Sequence, residues 1–128
     1  MFFYAGNTQE TDIEWLSDPD SQSNGGIRKL FFTNQDANGD GQKTYTAIDP
    51  PADATSAEHE YRIDWTDGRV QWFVDGAQVF EATTDVPSTP GPWLWNNWAD
   101  GDYRWSVGPP EVDTVFRIKK IEMYYNTA

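Results

Sequence analysis

Apolar and polar positions alternate along much of this chain in steps of two, the period of a strand with one buried face. The cleanest case is "EHEYRIDW" (58–65), where Tyr61, Ile63 and Trp65 share a side that His59 begins. The pattern recurs at 69–75 "RVQWFVD", where Val70, Trp72 and Val74 line up. "TDG" and "VDGAQ" supply turn chemistry between these runs, so 58–82 reads as a meander with two tight turns. Further strands are predicted at 2–5 "FFYA", 10–16 "ETDIEWL", 27–33 "IRKLFFT", 43–48 "KTYTAI", 77–82 "AQVFEA", 93–98 "WLWNNW" and 115–125 "VFRIKKIEMYY". No segment of useful length has helical period. Many short strands separated by Gly, Pro, Asn and Asp clusters predict an all-β sandwich or jelly roll.

Composition sharpens this picture. The 128 residues suit one ordinary domain, and seven Trp, six Tyr and seven Phe supply large rings for its core. Some of those rings are also candidates for an open groove, where they would stack on a ligand. The net charge of −12 argues against nucleic acid or an anionic membrane surface as partner. There is no cysteine, hence no disulfide framework and no thiolate metal site. No apolar run approaches the length of a membrane span. The opening "MFFYAGNTQE" has no basic segment, long apolar core or cleavage site, so it does not read as a signal peptide. His59 is the one histidine, which excludes a multi-histidine metal site and any Ser-His-Asp triad that it does not serve. "DANGDG" (36–41) begins like a calcium loop, but its twelfth position is Ala47 and no helices flank it. It reads as a polar hairpin loop.

"QETDIEW" (9–15) is the odd strand. Glu10, Asp12 and Glu14 fall on one face, although acids are poor strand formers and repel one another. By composition alone such a triplet is common, about once in two chains of this kind. Its context is more telling. Thr11, Ile13 and Trp15 make the opposite face largely apolar, so the acids should look into water or a groove. Retaining glycoside hydrolysis needs two carboxyl groups roughly 5–5.5 Å apart across a sugar. Two Glu side chains leaning together on a concave strand can approach that distance. An Asp between them would hold one by hydrogen bond and separate their pKa values by like-charge coupling.

"ETDIEW" resembles the E-x-D-x-E-[FW] catalytic strand of glycoside hydrolase family 16, the family of laminarinases, lichenases and xyloglucan transferases. "EHEYRIDWTDGRVQWFVDGAQVF" is similar to the segment downstream of that strand. "PGPWLWNNWADGDYRWSVGPP" is similar to the family's cleft strand, in a form often seen in filamentous-fungal members, and "VFRIKKIEMYYN" to its closing strand. The resemblance implies a concanavalin A-like jelly roll of which residues 1–128 are the second half. It implies a retaining endo-β-glucanase acting on β-1,3- or mixed-linked glucan, outside the cell. Glu10 matches the nucleophile, Asp12 the assisting acid and Glu14 the general acid/base. Asn96 and Trp98 match the sugar-binding strand. Trp93 and Trp95 either alternate with them or share their face across a bulge. Trp105, in a loop, is a candidate sugar platform. His59 matches a position that supports the fold or the cleft floor, and Trp65 and Trp72 read as core. No cofactor and no metal enter this reading. The partners implied are the glucan and, for half a sandwich with unpaired edges, a missing N-terminal half or a second copy. The alternative is a non-catalytic concanavalin A-like carbohydrate-binding sheet.

Overall fold

The structure is a computed structural model and describes residues 1–126. Its strands are β1 (Phe2–Gly6), β2 (Gln9–Trp15), β3 (Leu30–Asn34), β4 (Thr44–Ile48), β5 (Tyr61–Thr66), β6 (Arg69–Val74), β7 (Ala77–Ala82) and β8 (Trp93–Leu94). They form two antiparallel sheets. One has the order β4-β3-β2-β1-β8 and the other β5-β6-β7. The expected meander over 58–82 is the second sheet. Its β6–β7 turn has positive φ at both Asp75 (50°) and Gly76 (79°), the conformation a two-residue hairpin needs and the reason "DG" stands there.

The alternation read from the sequence sets the inner face of this sheet. Ile63 pairs with Trp72 and Trp65 with Val70, and Phe80 stacks on Trp72 at 5.1 Å. Against them pack Ile13, Leu30 and Phe32 of the larger sheet. Phe3 reaches Trp65 with ring centroids 4.6 Å apart. Trp72 is completely buried, and its indole N–H donates to the backbone carbonyl of Asp12 at 3.0 Å. The core thus grips β2 from behind.

Besides the first strand of the meander, which begins at Tyr61 and not at Glu58, three strand expectations need correction. The strand expected at 27–33 begins only at Leu30, and that expected at 93–98 is paired only at Trp93 and Leu94. The segment 115–125 forms no strand at all; Phe116, Ile118, Ile121 and Tyr124 are exposed. Its composition favours a strand, but a strand exists only where a neighbour takes up its N–H and C=O groups. No ladder among the described residues does so.

The "DANGDG" loop joins β3 to β4 and binds its own backbone. Asp40 N–H donates to Asp36 Oδ1 and to Asn38 Oδ1, each at 2.9 Å, and Gly41 N–H to Asp36 Oδ2 at 2.9 Å.

His59 ties the loop before β5 to the β6–β7 turn. Its Nδ1 lies 2.7 Å from Asp75 Oδ2 and its Nε2 3.2 Å from Asp53 Oδ1. The hydrogen bond to Asp75, with the charges of Asp75 and Asp53, raises its pKa. The same bond lowers that of Asp75. A raised His contributes stability that is full below its unfolded pKa, near 6.5, and is lost as pH rises through the folded value. A lowered Asp contributes stability that is lost as pH falls through its folded value. Thermal unfolding midpoints should therefore drop as pH rises from about 6.5 through the folded value of His59, and drop less in His59→Gln. Equal drops in the two proteins would refute the coupling.

Candidate active site

β2 has period two, so Glu10, Asp12 and Glu14 point to one side while Ile13 enters the core. Trp15 on the core side is only partly buried, and its indole N–H donates to the carbonyl of Arg28. The acid side is less open than the sequence implies. Asp12 is 1% exposed, because β1 and β3 flank it with Phe2 and Thr33 directly opposite.

Burial dominates the electrostatics here. Burial first, then the charges of Glu10 and Glu14, push Asp12 up to about 9, so it is protonated at neutral pH. A hydrogen bond with Glu10 adds to the rise. Burial raises Glu10, and the hydrogen bond from Asp12 draws it part of the way back. Glu14 is also raised, and burial is again the first cause. The Trp105 indole N–H, 3.4 Å from Glu14 Oε1, opposes the shift, as do the Met1 ammonium and Lys43; the charge of Glu10 adds to it. The like-charge coupling expected from the sequence contributes to these shifts, but desolvation is the larger cause.

Aromatic rings surround Glu14. Phe31 sits opposite it on β3, and Trp105 leans on Phe31 with centroids 4.8 Å apart. Lys43 Nζ lies 5.3 Å from the Trp105 ring and 5.3 Å from that of Tyr45. Trp105 is far away in sequence, and its loop is pinned by backbone bonds. Gln22 N–H donates to the carbonyl of Tyr103 at 2.9 Å and Ser23 N–H to that of Arg104 at 3.2 Å. Asn24, itself buried, organises that anchor by donating to the carbonyls of Leu16 and Asp18 and accepting from Lys29 N–H.

The structure thus brings Glu10, Asp12, Glu14 and Trp105 together. Trp98 is half exposed and lines a small recess of about 60 Å³ with Trp15, Asp18 and Trp105, at the end of β2. Trp93 pairs with Phe3 and packs its ring on Phe3, so it belongs to the core side, while Leu94 lies opposite Phe2 on the acid side. Trp95 is partly buried and Asn96 exposed, both beyond the paired part of β8. No hydrogen bond among the described residues joins either to the acids.

Sequence reasoning missed Phe31, Lys43 and Gln35. The run "LFF" (30–32) does not alternate, so it gave no sign that Phe31 faces away from Leu30 and Phe32. Gln35 Nε2 donates to Asp12 Oδ2 at 3.1 Å across 23 positions, and only strand pairing reveals that contact.

The family model described as "Glycosyl hydrolases family 16" matches residues 2–115. A beta-glucanase of Paenibacillus polymyxa is 46% identical over 103 residues, which cover 77% of this chain and 40% of that protein. A beta-glucanase of Bacillus subtilis (strain 168) is 31% identical over 103 residues, covering 77% and 39%. Among solved structures, a Bacillus licheniformis beta-glucanase aligns with a TM-score of 0.53 and 30% identity, over 70% of this chain and 40% of that one. The chain therefore spans about two fifths of the length of these relatives. All three are bacterial, so the matches carry the family and not its filamentous-fungal variety.

Proposed function

The chain belongs to glycosyl hydrolase family 16, and from that premise we propose that it is the acid-bearing part of a retaining endo-β-glucanase. In this reading it cleaves β-1,3- or mixed-linked glucan outside the cell, where such polymers are met. The observation that carries the reading is the unlike surroundings of the two glutamates on one strand face. Glu10 receives the proton of Asp12, which steadies it as an anion. Glu14 lies against Phe31 and Trp105, where burial raises its affinity for a proton. A nucleophile needs the first environment and a general acid the second.

The chemistry follows. Glu10 attacks the anomeric carbon and forms a glycosyl ester, while Glu14 protonates the departing oxygen. Glu14, now a carboxylate, takes a proton from water, which attacks the ester and releases Glu10. Trp98 and Trp105 offer ring faces to sugar C–H groups, and Trp95 and Asn96 belong to the same sugar-binding stretch, with Asn96 fixing a hydroxyl. Residues 1–128 act here as part of a family 16 domain, the partner being the glucan chain.

Reducing-sugar release from laminarin, lichenan and xyloglucan, by the polypeptide as it is naturally made, tests this. Release from laminarin or lichenan is expected, with little from xyloglucan. Binding to these glucans with no release from any would leave a carbohydrate-binding sheet instead.

A further inference from the structure

We propose that Gln35 is a positioning residue: it decides which oxygen of Asp12 carries the shared proton, and so aims that proton at Glu10. Gln35 follows β3, and its backbone N–H donates to the carbonyl of Glu10 at 3.1 Å, extending the ladder by one residue. Its side chain lies on the acid face, with Nε2 3.1 Å from Asp12 Oδ2. An amide N–H can only donate. Oδ2 therefore accepts, and because a carbonyl oxygen is a better acceptor than a hydroxyl, this bond favours the proton on Oδ1 of a protonated Asp12. Oδ1 is fully buried, and no N–H or O–H among the described residues reaches it. The Oδ1 hydroxyl is assigned to the Glu10 carboxylate, the neighbour on the same strand face whose hydrogen bond helps to raise Asp12.

Apart from Glu10, which takes the proton and also acts through charge, the other groups bearing on Asp12 do not select between its oxygens. Glu14 on β2 acts through charge, as does the Met1 ammonium beside β1. Lys43, before β4, bears on Glu14. Tyr4 on β1 faces Glu10 and donates to Asn7; Thr33 on β3 is uncharged; Trp72 on β6 binds the backbone carbonyl of Asp12, not its carboxyl.

The kinetic half of the test rests on the glucanase reading; the spectroscopic half does not. Asp12 is titrated by carboxyl-carbon NMR on aspartate-labelled protein, its signal identified by loss in Asp12→Asn. Gln35→Met removes the donor at nearly constant length. Asp12 should then titrate higher, and the acid limb of kcat/KM should move up because Glu10 loses its aimed proton. The kcat should fall about tenfold with KM within about twofold. Gln35→His keeps an N–H and should restore both profiles. Gln35→Glu, which puts an acceptor there, should raise Asp12 further and serves if Gln35→Met does not fold. An Asp12 titration that stays put or moves down in these variants overturns the proposal, the downward case meaning that Gln35 accepts rather than donates. Lower kcat with an unmoved pH profile overturns it too, leaving a structural side chain. Absence of hydrolysis by the unaltered protein would remove the glucanase reading alone, with the titration still deciding the place of Gln35.

Discussion

Glu10→Ala and Glu14→Ala should each lower glucan hydrolysis by about a thousandfold or more, and added azide should rescue them with opposite stereochemistry. In Glu14→Ala the nucleophile remains, so a substrate with a good leaving group still forms the ester on Glu10. The second step then lacks its base. Azide needs none; it displaces Glu10 from the β face and yields a β-glycosyl azide. In Glu10→Ala the carboxylate is gone and a small pocket takes its place. Azide enters that pocket, attacks from the α face in one inversion, and yields an α-glycosyl azide. Glu14 can still protonate the leaving group there. Product anomers are read by proton NMR coupling at C1. Exchanged anomers would mean that the roles of Glu10 and Glu14 are reversed. Full activity in both variants would end the catalytic reading of the strand.

Trp72→Ala should unfold the protein at far lower temperature. The side chain is completely buried between the sheets and stacked on Phe80. Its removal leaves a large cavity and deletes the N–H bond to the carbonyl of Asp12. Truncations of this kind cost about 3–5 kcal/mol, against a total stability on the order of 5–15 kcal/mol for a domain. Trp72→Phe keeps most of the ring and should cost about 1–2 kcal/mol. The two variants separate packing from the hydrogen bond. Because that bond holds β2 from behind, Trp72→Phe should also disturb the Asp12 titration more than a remote core change such as Val74→Ala does. Calorimetry and the same carboxyl NMR measure both. A midpoint for Trp72→Ala within about 3 °C of the unaltered protein would show that the two sheets do not depend on this contact.

What the sequence determined by itself is local and periodic. Alternation in 58–82 located three strands and assigned the inward positions of Tyr61, Ile63, Trp65, Val70, Trp72 and Val74, which the second sheet bears out. The same period put Glu10, Asp12 and Glu14 on one face of β2, and the order of its motifs carried the family. All of this follows from which way a side chain leaves a strand, a matter of neighbouring residues. Whether 115–125 pairs, how far β8 runs, that Asp12 is buried, and that Trp105, Phe31 and Gln35 gather around the acids were decided only by the tertiary structure. A ladder needs a neighbouring edge, and a carboxyl pKa depends on how much water is excluded by chain that lies far off in sequence. The three letters E, D and E are the same on a solvated edge as on a strand covered by its neighbours. Their proton affinities diverge only when β1, β3 and the Trp105 loop close over them.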